Sequence, residues 1–311
     1  MRTMTAVVVA GALIVAAAGC GGTDGAAADV SRSTGADYPV TVESCGRTET
    51  FTAAPRRVVL GWATSIRTLD ALGVADRVTG YVSASNATLP DGFTATAVSP
   101  DFQPAREAVL AARPDLFLAN DENQISGQQG TATPDDLGHT YVLGGYCLDA
   151  PAPGTVDAVY ADVEALGRIF GVEPTATELV ARLERRVAAA RAQRGSAAPA
   201  EVAMIQLYDG KVYALSGSYY NAILEGAGLT NVFGGLTENF AEISAEKVLT
   251  VKPDALFVAY DDAEGGDEAV AAAREKFGVA EVFGISNREI SGGGVNVVTL
   301  IEQVATQAYG V

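Results

Sequence analysis

The stretch TVDAVYADVEALGRIFGVEPTATELVARLERRVAAARAQR, Thr155 to Arg194, decides how the rest of the chain is read. Val156, Val159, Tyr160, Val163, Leu166 and Phe170 recur at helical spacing. Gly171 and Pro174 interrupt that pattern. Thr175 then reads as an N-cap, with Glu178 completing a capping box. Leu179, Leu183, Val187 and Ala190 form a second apolar stripe, and Arg182, Glu184, Arg185 and Arg186 lie mostly off it. A helix of about 20 residues is roughly 30 Å long, enough to cross from one small domain to another. An ordinary surface helix would carry the same pattern, so the flanks decide between the two.

The flanks resemble each other. Leu69-Asp70-Ala71-Leu72-Gly73-Val74 is echoed by Leu224-Glu225-Gly226-Ala227-Gly228-Leu229. Glu107-Ala108-Val109-Leu110-Ala111-Ala112-Arg113-Pro114-Asp115 is echoed by Glu246-Lys247-Val248-Leu249-Thr250-Val251-Lys252-Pro253-Asp254. Each second pattern runs into an apolar strand, 116–119 and 255–259. Order and approximate spacing are kept, which implies a single duplication. The expected fold is α/β, with two similar lobes of largely parallel sheet joined by a long interdomain helix. Ligands on such sheets sit beyond the carboxyl ends of the strands, here in a cleft between the lobes.

The 311 residues suffice for two domains, and a 48% hydrophobic fraction supplies two cores. A formal charge of −17 argues against nucleic acid or an anionic membrane surface as partner. Residues 1–19 read as a targeting segment: Arg2, then the apolar run Ala6–Ala18, too short for a comfortable span. Ala17-Ala18-Gly19-Cys20 resembles the lipobox of bacterial lipoproteins, with Ala17 departing from the usual leucine. That resemblance makes Cys20 the lipidated N-terminus of the mature chain; plain secretion is the alternative. Residues 20–38 read as a flexible tether, 39–154 as the first lobe, 155–195 as the interdomain segment and 196–311 as the second lobe. With Cys20 acylated, Cys45 and Cys147 remain. An oxidising compartment makes a disulfide the default, and two free thiols the alternative.

In the first lobe, residues 40–52 alternate like an edge hairpin turning at Gly46, and strands are expected at 57–60, 78–82, 116–119 and 141–143. In the second, strands are expected at 201–207, 211–215 and 255–259. Gly292-Gly293-Gly294 lacks the lysine and hydroxyl of a phosphate loop and reads as a plain turn.

These residues together resemble the class III periplasmic binding proteins, the substrate-binding components of iron-siderophore and cobalamin ABC importers. The carriers are Thr41 to Arg47, Pro55 to Val59, Leu69 to Val78, Arg106 to Asp115, Asp157 to Gly171 and Ser244 to Asp254. The resemblance spans residues 39–311. It implies two Rossmann-like lobes on a rigid interdomain helix and a monomeric protein without a cofactor. It also implies that Glu107 and Glu246, one per lobe, dock arginines on the two subunits of an ABC permease dimer. Position alone would make them ordinary helix-start glutamates.

Three functions compete at this stage: capture of a metal chelate for a permease, capture of a bare metal ion, and an extracytoplasmic enzyme on a similar frame. His139 is the single histidine, which disfavours a bare-metal site. No Gly-x-Ser-x-Gly or His-Glu-x-x-His occurs, which disfavours the enzyme. The loops expected at the cleft offer Trp62, Tyr81, Phe102, Asn120, Asp121, Tyr208, Tyr219, Tyr220, Phe240 and Tyr260. Aromatic groups with a few polar ones suit a large, partly apolar chelate. Arg67 is the only basic residue expected near a loop end. Asp121, Glu122, Asp261 and Asp262 would repel an anion. A ferric siderophore of the neutral or cationic hydroxamate type is therefore favoured over an anionic one, with a corrinoid as the alternative.

Overall fold

A computed structural model describes residues 37–83, 88–149, 154–261 and 265–310; Cys20, the tether up to residue 36 and Asp262 lie outside them. The chain opens with an antiparallel hairpin, β1 (Val40–Ser44) and β2 (Arg47–Phe51). Its two-residue turn is Cys45-Gly46, both at positive φ, the backbone a tight hairpin requires.

The first lobe then alternates strand and helix: β3 (Val58–Leu60), α1 (Ile66–Ala71), β4 (Val78–Val82), β5 (Thr96–Ser99), α2 (Arg106–Ala112), β6 (Leu116–Ala119) and β7 (Thr140–Val142). Its sheet has the order β5-β4-β3-β6-β7 and is parallel throughout. The central strands β3 and β6 are buried on both faces, which is why they read as unbroken apolar runs.

Two helices follow, α3 (Val156–Phe170) and α4 (Glu173–Ala192). Thr155 caps α3 through its side chain, which accepts from the Ala158 amide. Gly171 closes α3 in the left-handed conformation. The expected cap at Thr175 is not used. The chain re-enters helix at Glu173, with Pro174 in the first turn, where its missing N–H has no partner to lose. Gly167 lets the two helices touch: a Cβ there would stand 2.3 Å from that of Ala176.

The second lobe contains β8 (Glu201–Tyr208), β9 (Lys211–Leu215), α5 (Ser218–Gly226), β10 (Thr230–Asn231), β11 (Phe240–Ile243), α6 (Ala245–Val251), β12 (Ala255–Tyr260), α7 (Gly266–Phe277), β13 (Val282–Ser286), α8 (Asn287–Ile290) and α9 (Val295–Tyr309). Its order is β11-β9-β8-β12-β13, with β10 also on β8. Here β9 runs antiparallel to both neighbours, so this sheet is mixed.

The repeat seen in the sequence is a repeat of backbone chemistry. Helices α2 and α6 both end on a left-handed basic residue, Arg113 and Lys252. Each is followed by Pro-Asp. The Asp115 carboxylate accepts from the Arg56 and Arg57 amides before β3. The Asp254 carboxylate accepts from the Glu201 amide at the start of β8. Each aspartate thus fastens the strand that follows it to the neighbouring parallel strand. The other pair of echoes also matches: Val74 N donates to Leu69 O at 2.8 Å and Leu229 N to Leu224 O at 2.9 Å, with Gly73 and Gly228 both at positive φ.

The lobes do not have wholly separate interiors. One apolar core runs from Leu60, Leu69 and Leu118 through Val163 and Leu166 to Tyr219, Leu224 and Ile301. Helix α3 touches β1 and α5, and α9 touches α1, α4 and α5. Each large apolar side chain buried there contributes about 1.5–3 kcal/mol. Cys45 in the hairpin is disulfide-bonded to Cys147 beyond β7.

Candidate ligand-binding site

Parallel strands leave their carboxyl ends on one side of the sheet, and the residues just past them meet between the lobes. Trp62 follows β3, Asn120 and Asp121 follow β6, and Asp261 and Asn287 follow β12 and β13. Together with Phe102, Tyr146, Gln206, Tyr208, Tyr220, Phe240 and Ser291 they line a cavity of about 410 Å³. Phe102, Tyr208 and Phe240 are 39%, 55% and 42% exposed, unusual for aromatic groups unless something covers them.

The wall is held by polar bonds. Buried Gln124 receives the Asn120 amide at 3.0 Å and donates to the Gly61 and Phe102 carbonyls. It fixes three wall segments at once. Across the cleft, Trp62 Nε1 and Thr64 Oγ1 both donate to the Arg288 carbonyl at 2.9 Å, and Asn296 Nδ2 donates to the Thr64 carbonyl at 3.0 Å. Arg67 pairs with Glu289 at 2.5 Å, so the one basic residue expected near the cleft serves the seam between the lobes.

The Tyr146 and Tyr220 rings meet edge-on at 5.9 Å. Burial pushes the Tyr220 phenol up to about 12 and raises that of Tyr146 well above its ordinary value, so both are neutral at physiological pH. Burial also raises Asp121, against the opposing effect of two bonds from Asn123.

Seven of the ten side chains expected at the cleft line this cavity: Trp62, Phe102, Asn120, Asp121, Tyr208, Tyr220 and Phe240. The other three lie elsewhere. Tyr219 is buried, its hydroxyl 3.1 Å from the Asp162 carboxylate. Successive helix residues point about 100° apart, so Tyr220 reaches the cavity and Tyr219 the core. Tyr81 packs half-buried against the main core. Tyr260 lies against Gly266 and Gly284, whose missing side chains make room for its ring. Glu122 turns away to accept from the Leu148 amide. His139 packs against the Phe51 ring at a tilt, 4.3 Å between ring centres, and faces Glu49. Tyr146, Gln206, Asn287 and Ser291 gave no signal in the sequence, being single residues at strand ends and loops.

Glu107 and Glu246 are exposed in the first turns of α2 and α6, and neither forms a salt bridge among the described residues. The duplicated helices thus offer the same charge at the same helical position.

The periplasmic binding protein family matches residues 58–276, from β3 through the interdomain helices into α7 and so most of both lobes. The chain belongs to that family. Among solved structures, this periplasmic binding protein is similar to an ABC-type Fe3+-hydroxamate transport system from Saccharomonospora viridis. The identity is 23% over 88% of this chain and 100% of the other, with a TM-score of 0.70. The periplasmic heme binding protein HutB of Vibrio cholerae is 17% identical over 81% of this chain and 98% of its own, with a TM-score of 0.63. The periplasmic heme-binding protein RhuT from Roseiflexus is 20% identical over 82% and 98%, with a TM-score of 0.61. No curated protein matches the chain in sequence. Likeness at these identities establishes the shared fold.

Proposed function

We propose that this periplasmic binding protein captures a ferric chelate of the hydroxamate type outside the cytoplasmic membrane and delivers it to an ABC permease. The observation that carries this reading is the composition of the cavity: aromatic walls, two carboxylates, and no lysine or arginine lining it among the described residues. Heme presents two propionates, and catecholate chelates carry net negative charge. Both want arginine or lysine at the site. A neutral or cationic hydroxamate does not. Its polymethylene chains suit the exposed faces of Phe102, Tyr208 and Phe240.

Cys20 supplies the membrane anchor in this account, and Glu107 and Glu246 the contacts to the permease. A Cys20→Ala protein is expected in the soluble fraction, and unchanged membrane retention would contradict the anchor. The function itself is tested by calorimetric titration of the mature protein with a ferric trihydroxamate, a ferric catecholate, heme and cobalamin. Tight binding of the trihydroxamate is expected. Tight binding of heme, cobalamin or the catecholate without it would replace the proposed substrate.

A further inference from the structure

This inference rests on the reading of the cavity as the site of a ferric chelate, and concerns which chelate. Asp121 lies at the end of β6 in the first lobe and Asp261 at the end of β12 in the second. Both line the cavity that Tyr220 also lines, and their charges oppose ionisation of its phenol. Two carboxylates, one from each lobe, thus share one cavity. No cation lines it among the described residues, and stretches 84–87, 150–153 and 262–264 contain no lysine or arginine.

Asn120 supplies an independent observation. Its side chain is on the cavity wall and 4% exposed. Nδ2 donates to the Ser291 carbonyl and to Ser65 Oγ. Oδ1 has no partner among the described residues. Turning the amide over would not help, because the oxygen would then face the Ser291 carbonyl, another acceptor. A buried acceptor without a donor is costly until a ligand N–H or O–H reaches it.

A bare metal ion answers these features poorly. Among the described residues, the one cluster of three metal-ligating groups is Cys45, Glu122 and Cys147, and its cysteines are bonded to each other. A quaternary ammonium has the charge but no N–H. A primary ammonium has three donors, one charge, and aromatic faces at Trp62, Tyr208, Tyr220 and Phe240 to receive it. We propose that the cavity selects a ferric chelate bearing a protonated primary amine, which donates to Asn120 Oδ1 and is held by the carboxylates of Asp121 and Asp261.

The test is a matched pair of chelates. Ferric desferrioxamine B is a linear trihydroxamate with one free primary amine; its N-acetyl derivative keeps the iron-binding groups and loses the charge. Wild-type protein should bind the amine form about 10- to 100-fold more tightly. Asp121→Asn, near-isosteric and uncharged, should bring the two affinities within about threefold. Asp261→Asn serves as the second variant should the first fail to fold. Equal binding of both chelates by wild type overturns ammonium recognition and leaves hydroxamate capture standing. A preference that survives in both variants overturns the role of the carboxylates. Failure to bind either chelate, with heme or cobalamin bound instead, overturns the inference together with the substrate on which it rests.

Discussion

The Trp62 indole of the first lobe donates to the Arg288 carbonyl of the second at 2.9 Å, so one side chain is at once cavity wall and seam. The same seam explains the triple glycine. A Cβ on Gly292 would lie 2.7 Å from Thr64 Oγ1, and one on Gly294 would lie 2.4 Å from Thr68 Oγ1. Gly293 and Gly294 also hold positive φ. These glycines let α9 begin against the first lobe; they are a contact surface as well as a turn.

Gly294→Ala is therefore expected to cost about 1–3 kcal/mol of stability through backbone strain and overpacking. Urea unfolding measures it. A change within about 0.5 kcal/mol, the scatter of surface substitutions, would mean that the lobes do not meet as closely as this seam requires.

Asp162 makes stability depend on pH. It is buried on α3 and accepts from Tyr141 at 2.8 Å, Tyr219 at 3.1 Å and the Gly144 amide at 2.8 Å. Burial raises its carboxyl from 3.8 to about 6, and those three bonds lower it only in part. Between pH 4 and 6 the folded chain holds this proton and the unfolded chain does not. Stability from this group is thus fully present below pH 4 and falls as pH rises through 6, by about 3 kcal/mol in all. Comparing wild type with Asp162→Asn isolates it, because other titrating groups cancel. The stability difference should move against wild type by that amount between pH 4 and pH 7. A difference independent of pH would show that the carboxyl ionises normally.

Much of the architecture was legible because it rests on local chemistry that repeats. Pro114-Asp115 and Pro253-Asp254 each require a helix end, a turn and a strand start, and both copies fold that way. The parallel core strands were legible because burial on both faces leaves uninterrupted apolar runs. The cavity was legible only in part. Trp62, Asn120 and Asp121 follow strands directly, so topology places them. Tyr219 and Tyr220 are adjacent aromatics on one helix, and composition cannot say which faces the core. Tyr146 and Ser291 reach the wall through loops whose path depends on packing between lobes distant in sequence. The seam at Gly292 to Gly294 has the same origin: its partners Thr64, Thr68 and Tyr219 lie far away along the chain.

The duplicated helices set a prediction for transport. Glu107→Ala with Glu246→Ala should leave chelate affinity unchanged, since neither residue lines the cavity. Uptake of radiolabelled iron as the trihydroxamate should fall about tenfold or more in the double variant and less in either single one, because exposed charge pairs are individually worth about 0–1 kcal/mol. Normal uptake by the double variant would remove these residues from the permease contact.

Trp62 is the single tryptophan and lines the cavity, so its emission reports on that site alone. Titrating the mature protein with a ferric trihydroxamate, whose iron centre quenches nearby indoles, shows whether the chelate enters the cavity between the lobes. Saturable quenching at one chelate per protein is expected, with no quenching in Trp62→Phe and calorimetric binding retained there. Saturable binding by calorimetry with unchanged Trp62 emission would place the chelate outside the cavity between the lobes.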